Sequence, residues 1–219
     1  MMRTLFTLTA LAFLTAAAPQ GRAARDWTTV ATKTATGAYV IGNPRARVKL
    51  VEYASYTCSH CADFANQSGP VLKDRMIRSG DVSLEFRHVV FNAVDLAAAV
   101  TARCTGPANF AATTARFYQM QDQWLARGAA WAQANAQRLS SAPATARLRA
   151  LADGAGLTGM TRLSPAAVGA CFADEAEIAR ITAMRGDVGS TPTFFLNGKP
   201  VAQRTWAELQ PQLRAAGAR

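Results

Sequence analysis

The sequence predicts an α/β fold in which a central mixed sheet, flanked by helices, is interrupted by an inserted all-helical segment. Three observations predict it. Strand, strand, helix and strand patterns follow one another over residues 39–86, a two-residue Asn197-Gly198 turn joins two further strands, and residues 93–186 between them change to a helical period.

The chain opens on a segment that stands apart from this fold. Met1-Met2-Arg3 carries one positive charge, residues 5–18 are apolar, and small residues with a Pro19-Gln20-Gly21 break follow. This is the pattern of a secretory signal peptide over residues 1–23, with cleavage near Ala23. The run has no amphipathic period to suggest a buried helix, and it is too short to span a bilayer comfortably.

The strands come next. Tyr39-Val40-Ile41 is ended by Gly42-Asn43-Pro44, and Val48-Lys49-Leu50-Val51-Glu52-Tyr53-Ala54 is apolar and β-branched enough for a second, buried strand. A helix is expected over residues 64–77. Val82, Leu84 and Phe86 then alternate with Ser83, Glu85 and Arg87, which marks a half-buried third strand. Near the C-terminus, Thr193-Phe194-Phe195-Leu196 and Lys199-Pro200-Val201 flank Asn197-Gly198, residues that tolerate positive φ in a tight hairpin. Thr205-Trp206-Ala207-Glu208 is a capping box for a final helix.

Within residues 93–186, Leu96, Val100 and Cys104 recur every fourth residue until Gly106-Pro107 ends the first helix. Phe110, Phe117 and Trp124 form the stripe of a second, residues 131–139 and 144–152 make two shorter pieces, and Gly154, Gly156 and Gly159 break the chain. Ser164-Pro165 then caps one last long helix, with proline at its first position. Aromatic residues at this spacing belong to a core rather than to a ligand platform. Cys104 lies on one apolar stripe and Cys171, with Val168 and Ile178, on another. In an oxidising compartment such a pair is expected to bridge; the alternative is two buried free thiols.

The chemistry concentrates in Cys58-Ser59-His60-Cys61, between the second strand and the helix. A two-residue spacer lets two sulfurs close a bridge at a helix N-terminus, where unsatisfied N–H groups favour a thiolate on the first cysteine. Cys58 is therefore the candidate nucleophile. The same spacing also serves half of a zinc site or a haem attachment sequence. Haem attachment needs His directly after the second cysteine, where Ala62 stands, and a structural zinc site needs more ligands than His88 and a single CxxC supply. With no metal, nucleotide or flavin motif, no cofactor is expected.

Together these segments resemble a DsbA-like disulfide oxidoreductase, a thioredoxin fold with a helical insertion, exported to the bacterial periplasm. The matching residues are Val51-Glu52-Tyr53-Ala54-Ser55-Tyr56-Thr57-Cys58-Ser59-His60-Cys61, then Phe86-Arg87-His88-Val89-Val90, then Gly189-Ser190-Thr191-Pro192-Thr193-Phe194-Phe195-Leu196-Asn197-Gly198-Lys199. The resemblance divides the mature chain into a first thioredoxin half over residues 24–92, the helical insertion over 93–186, and a second half over 187–219. It departs from the family at Ser59, where proline is usual, which leaves the redox poise open.

The resemblance implies a role for each residue. His60 lowers the pKa of the Cys58 thiolate and makes the disulfide strongly oxidising. Glu52 lies beneath the site and helps to move the proton of Cys61; the blander expectation is a salt bridge to Lys49 or an exposed edge position. Thr191-Pro192 is a cis peptide that brings the Thr191 backbone beside the disulfide to pair with an extended substrate. His88 falls on the inward alternation of its strand and is expected to be structural. A subgroup of the family carries a second, structural disulfide in the helical region, here Cys104 with Cys171.

The implied partners are reduced, unfolded exported proteins and a membrane quinone-linked oxidase of the DsbB type, with the protein itself a monomer. A reductase or isomerase of the same fold is one alternative. A copper-binding thiol chaperone using Cys58, Cys61 and His88 is another. The 24 basic and 14 acidic residues give a net charge of +10, which falls to +8 if Arg3 and Arg22 leave with the first segment. These basic residues are scattered singly, without interleaved aromatics, so nucleic acid is not an expected partner.

Overall fold

The computed structural model describes residues 25–219, and the expected signal peptide lies outside them. Six strands form one mixed sheet among the described residues: β1 (Ala31–Lys33), β2 (Tyr39–Gly42), β3 (Val48–Ala54), β4 (Val82–His88), β5 (Thr193–Leu196) and β6 (Lys199–Val201). Their order is β1-β2-β4-β3-β5-β6. Only β3 and β4 run parallel, and a parallel pair needs a crossover rather than a hairpin.

That crossover is helix α1 (Ser59–Ser68), continued by a wider π-helical stretch, Gly69–Ile77. The expected helix over residues 64–77 thus starts five residues earlier and changes pitch at Pro70. Proline has no N–H for the carbonyl four residues back and crowds it, so the ladder resumes with a longer spacing.

Strand β1 carries no sequence signature. Ala31-Thr32-Lys33 lies at the sheet edge, partly or fully exposed, and a strand without a buried face has no period to read. Strand β4 is central, so Ser83 is buried although alternation assigned it to the open face. On β3, Val48, Leu50, Glu52 and Ala54 face the packed side, whereas Lys49, Val51 and Tyr53 are less covered. The β5–β6 hairpin turns through Asn197 and Gly198 at φ of 49° and 80°. Asn197 also accepts from the Lys49 N–H at 2.8 Å, which ties the hairpin to β3.

Seven helices follow β4: α2 (Ala93–Cys104), α3 (Pro107–Gln119), α4 (Gln121–Ala134), α5 (Ala136–Ser141), α6 (Ala144–Gly154), α7 (Pro165–Ala173) and α8 (Glu175–Ala183). The aromatic stripe of Phe110, Phe117 and Trp124 spans two of them, because Met120 breaks the helix at φ −109°, ψ 17°. The last long helix is also two. Asp174 leaves the helical region at φ −80°, ψ 80°, and its carboxylate caps α8 by accepting the Glu177 N–H at 2.9 Å.

A Cys104–Cys171 disulfide joins α2 to α7, with Cα atoms 5.8 Å apart. The neighbouring Arg103 is buried, pairs with Glu177 of α8, donates to the Gly37 carbonyl at 2.7 Å and lies over the Tyr39 ring. The insertion is thereby bolted to the β1–β2 turn. Helix α9 (Trp206–Ala215) closes the chain, and Trp206 and Phe194 both pack on Phe64 of α1. None of the described helices is long and apolar enough to cross a membrane.

Candidate active site

Strand β3 delivers the chain through Ser55-Tyr56-Thr57 to Cys58, which is the N-cap of α1 and makes no side-chain cap bond there. Cys61 lies in the first helical turn and is fully buried, while Cys58 is half-buried. Two polar side chains from the helical insertion hold this loop. Asp95 of α2 accepts from Ser55 Oγ at 2.6 Å and from the Tyr56 and Phe91 N–H groups at 2.9 and 3.1 Å. Gln121 of α4 donates its amide to the carbonyls of Tyr56 and Cys58 at 2.8 and 2.9 Å.

The two thiols are driven apart in acidity. Cys58 is brought down to about 5 by a hydrogen bond from the Cys61 thiol, against its partial burial, with further help from the Thr191 side chain and from the backbone N–H groups of Cys61 and His60. The Thr191 carbonyl lies 3.5 Å from the Cys58 sulfur, within reach of its thiol proton. Cys61 is pushed far up, because it serves as donor to Cys58, is buried, and faces the Glu52 carboxyl. One sulfur is therefore poised as thiolate and the other as thiol.

Glu52 sits at the centre of β3, 3% exposed, in register with Phe86 and Phe194. Burial, then repulsion from the Cys58 thiolate, pushes its carboxyl up to about 8. Oε1 has no protein partner, and Lys49 is exposed and makes no salt bridge to it among the described residues. A cavity of about 250 Å³, lined by Phe64, Leu72, Thr114 and Tyr118 among others, reaches this carboxyl.

Opposite Cys58, the Thr191-Pro192 peptide is cis. It borders a cleft of about 360 Å³ that also contains His60, Asp63, Arg204 and Trp206. The His60 side chain is exposed, and it is the His60 backbone N–H that acts on the Cys58 sulfur. His88 is not part of this constellation. Its ring is buried among Tyr56, Phe86 and Phe110, and burial holds its pKa well below the ordinary value. Cys104 and Cys171 belong to the α2–α7 contact rather than to the cysteine loop.

Sequence reasoning missed Asp95 and Gln121. Asp95 had a faint signal, a lone acid in an apolar helix three residues after the Asn92 cap. Gln121 had none, since its partners are main-chain carbonyls distant in sequence.

Comparisons with known proteins place the fold. Residues 34–215 match a family model described as Thioredoxin. A crystal structure of protein-disulfide isomerase from Novosphingobium aromaticivorans is 30% identical, with a TM-score of 0.70 over 80% of this chain and 95% of that one. The fold is also that of Wolbachia pipientis alpha-DsbA1, 21% identical with a TM-score of 0.57 over 81% of this chain and 89% of that one. A Rickettsia conorii protein, carrying the name "Putative protein-disulfide oxidoreductase", is 30% identical over 73% of this chain and 53% of its own length. A Rickettsia typhi protein of the same designation is 37% identical over 39% of this chain and 32% of its own. The chain therefore spans about a third to a half of the curated relatives it matches. With the family model covering most of its length and the cysteine loop at the head of α1, the chain belongs to the thioredoxin family.

Proposed function

We propose that this protein is a thiol-disulfide oxidoreductase that introduces disulfides into exported proteins in the periplasm. The observation that carries the reading is the split between the two thiols, Cys58 brought down to about 5 beside a Cys61 pushed the other way. A stabilised thiolate is a good leaving group, so a Cys58–Cys61 disulfide is readily reduced and hence oxidising.

The cycle begins from that disulfide. A substrate thiolate attacks Cys58 Sγ, the Cys58–Cys61 bond breaks, and its electron pair leaves on Cys61 Sγ. Cys61 is buried and cannot hold the charge, so it takes a proton from Glu52, which is protonated below about 8. A second substrate thiolate then attacks the substrate sulfur of the mixed disulfide and expels Cys58 as thiolate. The substrate gains a disulfide, and the enzyme is left with the Cys58 thiolate and Cys61 thiol. In this reading Thr191-Pro192 lines the substrate strand, Cys104–Cys171 is a scaffold, and residues 24–92 and 187–219 form the catalytic half-domains around the insertion at 93–186. Re-oxidation falls to a membrane quinone-linked partner of the DsbB type, with the protein acting as an exported monomer.

The name of the Novosphingobium structure favours a second reading, disulfide isomerisation. Both use the same nucleophile but opposite resting states. Equilibration of the Cys58–Cys61 pair with glutathione tests the proposal: a pair markedly more oxidising than that of thioredoxin supports the oxidase, and one near it sinks that reading. Recovery of activity in a scrambled, fully oxidised substrate reads the isomerase alternative directly.

A further inference from the structure

We infer that Gln121 is a positioning residue for the cysteine loop, and that through it the helical insertion sets the acidity of Cys58. The inference rests on the oxidoreductase reading above. Gln121 is 4% exposed and is the first residue of α4, immediately after the break at Met120. Its two contacts, at 2.8 and 2.9 Å, go to the carbonyls of Tyr56 and Cys58. Since carbonyl oxygens only accept, the NH₂ end of the amide must face them, and both of its hydrogens are used.

These two carbonyls flank Thr57. Fixing both fixes the peptide plane before Thr57 and the one after Cys58, and so brackets the two residues that turn the chain from β3 into α1. The Cys58 carbonyl also accepts the Ala62 N–H at 3.2 Å, so Gln121 grips the cap of the helix itself. The direction in which that cap points the His60 and Cys61 N–H groups decides how well they solvate the Cys58 sulfur. From the other side, Asp95 holds Ser55 and Tyr56, so both clamps on the loop come from the insertion and neither from the sheet. Loss of the amide would leave the buried Tyr56 carbonyl without this donor and release the cap to rotate.

The test compares Gln121→Met, which keeps length and removes both donors, with Trp124→Phe. Trp124 lies one turn further along α4, buried, and its Nε1 donates to the Phe117 carbonyl at 2.8 Å rather than to a carbonyl of the loop. Trp124→Phe therefore loosens the same helix while leaving the clamp intact. The thiolate absorbance of each reduced protein is titrated, and the glutathione equilibrium of each is measured.

The parent should show a midpoint near 5. Gln121→Met should raise it by about one unit, the worth of one buried hydrogen bond, and make the pair about tenfold less oxidising. Trp124→Phe should lower the unfolding midpoint and leave both readouts where they were. If Gln121→Met titrates with the parent, or if Trp124→Phe moves the thiolate as far, positioning by Gln121 is wrong. A parent that titrates as an ordinary thiol overturns instead the oxidoreductase reading on which the inference rests. Should Gln121→Met not fold, Gln121→Asn, which keeps the amide but withdraws it by one methylene, reads the same two quantities.

Discussion

At the scale of single residues, the site is a set of opposed protonation states held within one turn of helix. Cys58 is lowered to about 5, so in the reduced protein its contribution to stability is fully present above the unfolded thiol value. That contribution is lost as pH falls through about 5, and the oxidised protein lacks it. The reduced form should therefore gain on the oxidised form as pH rises from 5 to about 8.5, and urea midpoints of the two forms across that window check it. Carboxymethylation of the parent should follow the same titration, and Cys58→Ser should abolish oxidation of a dithiol peptide. Glu52 has the opposite sign. Its folded value of about 8 lies above the unfolded carboxylate, so its contribution is present at low pH and disappears as pH rises through 8. Glu52→Gln should remove this slope and leave the reduced protein more stable at pH 8, on the order of a few kcal/mol. Dithiol oxidation should slow in the same variant, because Cys61 loses its proton donor; unchanged turnover would remove Glu52 from the mechanism.

At the scale of elements, the insertion is attached to the sheet through charge as well as apolar packing. Arg103 is nearly fully buried and Glu177 half-covered, with Lys33 and Arg180 also on the same carboxylate. Partial burial opposes these partners, but the hydrogen bonds of Lys33, Arg103 and Arg180 prevail and hold Glu177 down to about 2. Its contribution is present above the unfolded carboxylate value and lost as pH falls through about 2. Glu177→Gln leaves Arg103 buried with a weaker partner and should lower stability at pH 7 by about 2 kcal/mol, between the values for surface and buried pairs; a denaturant midpoint equal to the parent's would contradict this. The long-range part of this network was not legible in the sequence, because charge pairs between residues 33, 103 and 177 leave no local pattern. What was legible from the residues is what has a period or a turn: β2 to β4, the Asn197-Gly198 hairpin and the Thr205 cap; the meeting of Cys58 with Thr191 was implied instead by the family resemblance. Period also misled. The Phe110–Phe117–Trp124 stripe ran through a break at Met120, since a stripe records which face is buried and not whether the backbone is continuous.

At the scale of the whole molecule, the proposed function divides the two cysteine pairs between chemistry and scaffolding. Cys58 and Cys61 are free thiols at a helix cap beside an open cleft, whereas Cys104 and Cys171 are already bridged between α2 and α7. The bridge closes a loop of 67 residues containing most of the insertion, so its main effect is to restrict the unfolded chain. The chain-entropy relation for a loop of that size gives about 4 kcal/mol, an upper figure because residual structure in the unfolded state subtracts from it. Replacing both residues, Cys104→Ser with Cys171→Ser, should lower the unfolding midpoint accordingly. The cysteine loop is held by Asp95 near the start of α2 and by Gln121 on α4, not by the bridge at the far end of α2. Oxidation of a dithiol peptide by the still-folded double variant should therefore remain close to the parent's, with the Cys58 titration unmoved. A parent-like unfolding midpoint would refute the scaffold role. A displaced thiolate titration in a folded double variant would show instead that the bridge reaches the active site through α2.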